Sequence, residues 1–387
     1  MLCERIALSL LPNALEYVGA EAKGIEIMAK KGELFVFLLK DLSLPQLHIL
    51  KQELLSAGGD LATPKTAILG KDLSYRALLI ATKSQLEYVI QKCKIQPFNL
   101  KHLAKILTSH ITKQQKISPC IMPIINLTPD SFYPDSRHTA KEAINTIQSL
   151  IEQGAQLIDI GAASSRPNSE LVNAATEIER LKEVCHFIKT NNLAKHTKFS
   201  IDTYNAKTAA YALANGFCMV NDVSALGDKT MLDVVSDFGA DFVLMHTKGT
   251  PKTMEQFTHY THLLNEVEHF FEQKLALLQK HNVGEIILDI GFGFAKNTPQ
   301  NLALVQNLAH FKHFGKRILV GASLKRTIGE LTQNPQPESR LSGTISLHLL
   351  ALHNGADIIR AHHFKEHNDM LNIYKALSLP TLSLENL

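Results

Sequence analysis

Several features are missing from this sequence of 387 residues, and each absence removes a class of function. Its five cysteines, Cys3, Cys93, Cys120, Cys185 and Cys218, include no Cys-x-x-Cys pair. An odd and scattered set excludes a disulfide framework and a thiolate zinc site. No apolar run reaches the roughly 18 residues of a membrane span, and no basic start leads into a short apolar stretch. Charge of one sign is not in excess. With 18 histidines counted neutral the net charge is +3, too weak for a nucleic-acid or membrane-surface protein. His-Glu-x-x-His is absent. Gly70-Lys71 is followed by Asp72, which rules out a phosphate-binding P-loop, and Gly291 to Lys296 lacks the third glycine of a dinucleotide fingerprint. Tryptophan is absent too, which carries no functional meaning. What remains is 45% apolar and 20% charged, so a packed core is expected, and with no signal or membrane segment the protein is expected to be soluble and cytoplasmic.

The chain changes pattern near Cys120. Beyond it, eight short apolar runs alternate with helical patterns: residues 121–126, 155–161, 197–202, 217–222, 241–246, 285–290, 317–322 and 356–362. Strand–helix alternation of this kind makes βαβ units and a parallel sheet. Eight units predict a (β/α)₈ TIM barrel, whose typical length is about 250 residues, so residues 113–387 are assigned to it. Gly154, Gly216, Gly239, Gly284, Gly315 and Gly355 precede strands and suit helix C-caps. The helix expected over Tyr260 to His281 is the longest. Residues 1–112 read as a small α+β domain of unknown role, with strands in "ELFVFLLK" and "YRALLIAT". The polar stretch Lys105 to Ser118 is expected to contain the linker.

In such barrels chemistry sits at the carboxyl ends of the strands. Here the tips carry Asn126, then Ser164-Ser165-Arg166, Asp202, Asn221-Asp222, Met245-His246, Asp289, Lys325 just past the seventh tip, and Arg360 with His362. Each has an ordinary alternative. Asp202 could cap the next helix, His246 could be a satisfied core histidine, and Asp222 could bond a neighbouring loop. Eight polar tips around one mouth point instead to a ligand of two characters. Asp202, Asn221, Asp289 and Lys325 suit a flat heterocycle with amide and amino edges. Arg360 and His362, with Asn126 opposite, suit an anion, and an Asn carbonyl can share a magnesium ion with substrate oxygens and water.

With these residues in place, the stretches "INLTPDSF", "LIDIGAASSRP", "SIDTY", "VNDVSAL", "LMHTKGTPKTM", "ILDIGFGFAKN", "LVGASLK" and "IIRAH" resemble dihydropteroate synthase across the whole barrel. The resemblance implies condensation of dihydropterin-CH₂-pyrophosphate with p-aminobenzoate in folate biosynthesis, on an enzyme that sulfonamides target. It further implies that Asp202, Asn221, Asp289 and Lys325 bind the pterin, with Met245 and Phe294 lining its pocket. Arg360 and His362 would hold pyrophosphate, and Asn126 would sit at Mg²⁺. A first loop would span Thr128 to Asp135, and Ser165, Arg166 and Pro167 would carry p-aminobenzoate. Asp202, Lys325, Arg360 and His362 would carry catalysis, and a homodimer is implied.

Departures from the family pattern are local. Gly161-Ala162-Ala163-Ser164-Ser165 lacks a glutamate and has Ser for Thr. Arg326 stands where a serine usually lies near the p-aminobenzoate carboxylate, so it either pairs with that carboxylate or swings away. The first loop lacks its usual glycines. Two other functions share a pterin barrel: a methyltetrahydrofolate–corrinoid methyltransferase and a non-catalytic pterin-binding protein. "SSRP" and "RAH" argue against the first, and intact Asn126, Lys325, Arg360 and His362 against the second.

Overall fold

The computed structural model describes residues 3, 5–112, 117–127, 140–163 and 172–378. They form two compact units, one built on residues up to 112 and the other on residues 117–376.

In the first unit, strands β1 (Leu34–Leu42), β2 (Asp60–Ala62) and β3 (Tyr75–Thr82) form an antiparallel sheet in the order β1-β3-β2. Helices Leu44–Ser56, Lys83–Ile95 and Leu100–Ile111 build its core through Leu50, Leu54, Leu86 and Leu107, which pack with Leu79 of β3. Helix Leu44–Ser56 begins at a capping box: Ser43 accepts from the Gln46 amide, and the Gln46 side chain receives the Ser43 amide. Strand β2 has only three residues, too few to show a period. The first part of the stretch expected to contain the linker is helix. Leu100, Ala104, Leu107 and Ile111 recur at helical spacing and are buried, while the polar residues between them face water.

The second unit is a closed parallel barrel. Its strands are β4 (Cys120–Asn126), β5 (Leu157–Gly161), β6 (Lys198–Asp202), β7 (Met219–Asp222), β8 (Asp241–Met245), β9 (Ile286–Asp289), β10 (Arg317–Val320) and β11 (Ile358–Ala361), with β11 closing on β4. Side chains alternate across each strand. One set faces the helices and joins the large core around Phe199, Phe242, Phe271 and Phe311. The other fills the barrel with a floor of Met122, Leu157, Met219, Val243, Ile287, Leu319 and Ile358.

Two details differ from the sequence expectation. The helix after β8 is Leu263–Leu278 and is shorter than the 17-residue helix Ala174–Thr190. Glu266 turns back to accept the amides of Thr261 and His262, so those residues cap the helix instead of extending it. Five of the six pre-strand glycines have positive φ, but Gly284 does not. Its role is close approach: a Cβ there would meet the Asp241 carboxylate at 2.6 Å.

Candidate active site

The barrel's floor determines which residues reach its mouth. Two positions past a floor residue, the side chain again points inward. From Leu157, Met219, Val243, Ile287 and Ile358 this gives Asp159, Asn221, Met245, Asp289 and Arg360. Strand stagger brings Asn126, Gly161, Asp202 and Asn221 into one register row, and Met245 lies beside Asp289 in another.

Arg360 occupies the centre. Its Nε donates to Asp159 at 2.6 Å and its Nη2 to Asp202 at 2.6 Å. Asn221 Nδ2 donates to the same Asp159 oxygen at 3.0 Å. Just past β10, Gly321 lies against the guanidinium stem, where a Cβ would make ordinary contact with Arg360 Cβ at 3.6 Å. Asp159 Oδ1 and Asn221 Oδ1 are buried and have no partner among the described residues. Buried acceptors of this kind are costly unless a ligand or water supplies donors.

On the far side, Lys325 Nζ donates to the Phe292 carbonyl and lies 4.5 Å from the centre of the Phe294 ring. Asp289 accepts the Gly291 amide at 2.7 Å. Gly291 has φ +65°, and a Cβ there would strike the His246 carbonyl at 1.9 Å, so only glycine fits this turn. Ser323 Oγ lies 3.0 Å from His362 Nδ1 and accepts the His362 amide, which fixes the ring near the β10 tip.

Burial sets the electrostatics. It pushes Asp202 up to about 7, against the pull of Arg360, and it raises Asp289, against the pull of Lys325. Burial also lowers Lys325 to about 8, with Asp289 opposing. Arg360 stays firmly protonated because the attraction of Asp159 and Asp202 outweighs its own burial.

The structure thus brings Asp202, Asn221, Met245, Asp289, Phe294, Lys325, Arg360 and His362 to the mouth, with Asn126 in the register row of Asp202. Two tip residues follow their ordinary alternatives. Asp222 accepts from Ser224 and Leu226 in the adjoining loop. His246 is buried against Phe270 and bonded to Lys296 Nζ at 2.9 Å. Arg326 lies on the surface, held by Glu255 and Glu330 at 3.1 Å each. Ser164, Ser165, Arg166, Pro167 and the loop Thr128 to Asp135 lie outside the described residues.

Two residues at the site escaped the sequence reading. Asp159 hides in the apolar run "LIDIG", although the period of two from Leu157 marks it as inward-facing. Lys296 is fully buried and lowered to about 7 by that burial. Its Nζ reaches the carbonyls of Gly291 and Phe294, tying the turn after β9 to His246.

Residues 122–362 match the family model described as "Pterin binding enzyme". The chain is 48% identical to the bifunctional dihydropteroate synthase/dihydropteroate reductase of Helicobacter pylori, over 97% of this chain and 99% of that protein. The chain belongs to the pterin-binding dihydropteroate synthases. The Escherichia coli dihydropteroate synthase is 33% identical over 67% of this chain and 91% of its own length. Among solved structures, the Xanthomonas albilineans dihydropteroate synthase with 4-aminobenzoic acid is 34% identical, covering 68% of this chain and 94% of that one, with a TM-score of 0.62. Dihydropteroate synthase is a transferase of folate biosynthesis. The methyltransferase and the non-catalytic binder therefore give way as readings of this chain.

Proposed function

We propose that Asp159 Oδ1 and Asn221 Oδ1, buried acceptors without a partner among the described residues, receive the donor edge of a pterin when the enzyme condenses dihydropterin-CH₂-pyrophosphate with p-aminobenzoate. That pair of buried acceptors, left without a protein partner among the described residues, is the observation that carries the assignment. Lys325 and Asp289 meet the opposite edge of the ring, Met245 and Phe294 pack against it, and Asp202 lies beside its reactive side. Arg360 and His362 face the pyrophosphate. In the reaction the methylene–oxygen bond breaks with its electron pair leaving on pyrophosphate. The amine of p-aminobenzoate forms the new carbon–nitrogen bond and loses a proton. Arg360 and His362 offset charge gathering on the leaving group, and the carboxylates of Asp202 and Asp289 favour the cationic methylene. Asp159→Asn keeps the shape but exchanges an acceptor for a donor. We expect pterin binding in calorimetry to weaken by roughly 10- to 100-fold, with p-aminobenzoate binding little changed. Undiminished pterin binding would remove Asp159 from the pocket.

Asn126 fits a magnesium ion only in a limited sense. It offers one neutral amide oxygen, open towards Gly161, where a Cβ would come within 3.6 Å. A single oxygen suits an ion whose shell is completed by water and diphosphate, as is usual for magnesium. When bound, the ion would neutralise charge on the diphosphate.

The loop carrying Ser165, Arg166 and Pro167 is assigned to p-aminobenzoate. Its flanks are anchored: Arg180 donates to the Ala162 carbonyl at 2.7 Å, and the Tyr204 hydroxyl accepts the Val172 amide at 2.7 Å. Arg326 belongs to the same subsite by exchange. Its ion pairs are exposed, and such pairs are worth about 0–1 kcal/mol, so a carboxylate from p-aminobenzoate can displace Glu255. Arg326→Ala is expected to raise the KM for p-aminobenzoate by about 3- to 10-fold, given a comparable ion-pair energy at the substrate, and to leave the KM for the pterin unchanged. Equal rises in both would refute the exchange.

A second activity follows from the end-to-end match to the Helicobacter pylori protein, whose name includes dihydropteroate reductase. We propose that this chain also reduces its product: a reduced nicotinamide or flavin gives a hydride to the C=N bond of the dihydropterin ring, and the ring nitrogen takes a proton from solvent. Oxidation of NADH, NADPH or reduced FMN should accelerate when dihydropteroate is added. No acceleration with any of the three would dismiss this activity. We further propose a cytoplasmic homodimer, which light scattering and cell fractionation test. Among the described residues no helix is long and apolar enough to cross a membrane.

A further inference from the structure

Two strand tips supply the groups that act on the substrate: Lys325 follows β10, and Arg360 and His362 lie on and after β11. Behind them, helix Leu341–His353 presents a buried polar stripe of Arg340, Thr344 and His348. The three are four residues apart and so share one face. Their exposures are 7%, 0% and 0%, and each holds the backbone that leads to Lys325. Ala322 donates its amide to His348 Nε2 at 3.1 Å. Leu324 donates its amide to Thr344 Oγ1 at 3.1 Å, and its carbonyl accepts from Arg340 Nη1 at 2.9 Å. Leu324 needs this grip, because its φ of 57° is left-handed and unfavourable for a branched side chain.

The stripe continues to the other tip. His348 Nδ1 lies 2.9 Å from His367 Nε2, and His367 Nδ1 lies 2.9 Å from the carbonyl of His363, the neighbour of His362. The direction of every hydrogen bond in this chain can be deduced. A carbonyl only accepts, so His367 Nδ1 carries a proton. An amide only donates, so His348 Nε2 carries none. A neutral His367 then has a bare Nε2, which accepts from His348 Nδ1–H. The chain closes only when both rings are neutral. Both are fully buried, which favours that state by lowering each below its ordinary value.

We propose that His348 and His367 form a directional hydrogen-bond relay that fixes the β10 and β11 tips relative to each other, positioning Lys325 and His362 for the pterin pyrophosphate. They are positioning residues, since neither lies at the mouth. The inference rests on the site reading given above for Lys325 and His362.

His348→Leu and His367→Leu should each lower kcat/KM for the pterin pyrophosphate by about 10- to 100-fold, the scale of a tip misplaced by about 1 Å. The KM for p-aminobenzoate should stay unchanged. The double variant should be no worse than either single, because the relay acts as a unit. His348→Gln should recover part of the loss, since one amide side chain can accept from Ala322 and donate to His367. In the unaltered protein, long-range ¹H–¹⁵N correlation should show His348 as a neutral ring protonated at Nδ1. A ring protonated at Nε2, or a pair of single variants whose losses add, would overturn the relay. If Lys325→Ala keeps full turnover, the site reading fails. If Lys325→Ala is inactive and His348→Leu is unchanged in both KM and kcat, the relay alone fails.

Discussion

Arg360→Ala is expected to lose both turnover and stability, the largest combined effect of any single change in the barrel. The guanidinium is 18% exposed and touches two carboxylates that have little other compensation, Asp159 at 0% and Asp202 at 10% side-chain exposure. Removing one member of a buried ionic group costs about 3–5 kcal/mol, because the remaining charge is stranded. In a unit of this size that corresponds to roughly 10 °C in Tm. The sign of the pH response follows. With the cation gone, Asp159 and Asp202 repel each other, and protonation of Asp202, already raised by burial, relieves the strain. The deficit against the unaltered protein should therefore shrink as pH falls. Turnover should drop by about 100- to 1,000-fold, the usual cost of one lost electrostatic partner of a leaving group. Arg360→Lys should hold the charge but not the fork to both carboxylates, and should fall between. Thermal melts at two pH values, read beside kcat, check this. Normal activity in the alanine variant is incompatible with the assignment.

Lys325→Ala should cost a similar factor in kcat/KM for the pterin pyrophosphate while leaving the fold intact. The side chain ends on a carbonyl and a ring face and forms no salt bridge among the described residues. Its role also shapes the pH profile. The ammonium is the form that donates, and burial lowers Lys325 to about 8, so kcat/KM should fall as pH rises through that value. On the acid side, the ionised Asp202 is the useful form, and burial holds it near 7, so kcat/KM should fall as pH drops below that. The two limbs make a narrow bell. Lys325→Arg, if active, should move the alkaline limb upward, because an arginine keeps its proton. A limb unmoved by that substitution would assign it to another group.

Much of the barrel was legible because apolar runs repeat at a steady spacing and end in polar residues. The register row Asn126, Gly161, Asp202 and Asn221 is the physical form of that pattern. What sequence could not show was which polar tips face inward. Asp222 and His246 stand at tips yet turn to neighbouring loops and helices, while Asp159, one turn of the pleat lower, reaches the centre. Spacing along a strand distinguishes the two faces only once the floor residues are known. Arg360 was expected to face an anion. Its bonds to Asp159 and Asp202 depend on strands that are 201 and 158 residues away in the chain, which no local pattern records. The helix Leu100–Ile111 was hidden differently, because its polar face outweighs four buried apolar positions.

The central claim is that one mouth holds both a pterin and a departing pyrophosphate. Release of pyrophosphate by the full chain, with each substrate omitted in turn, tests it most directly. The account predicts release that needs dihydropterin pyrophosphate and p-aminobenzoate together, and that the Asp159→Asn and Lys325→Ala variants lose in parallel. Release at full rate without p-aminobenzoate, or none with both substrates present, would contradict it.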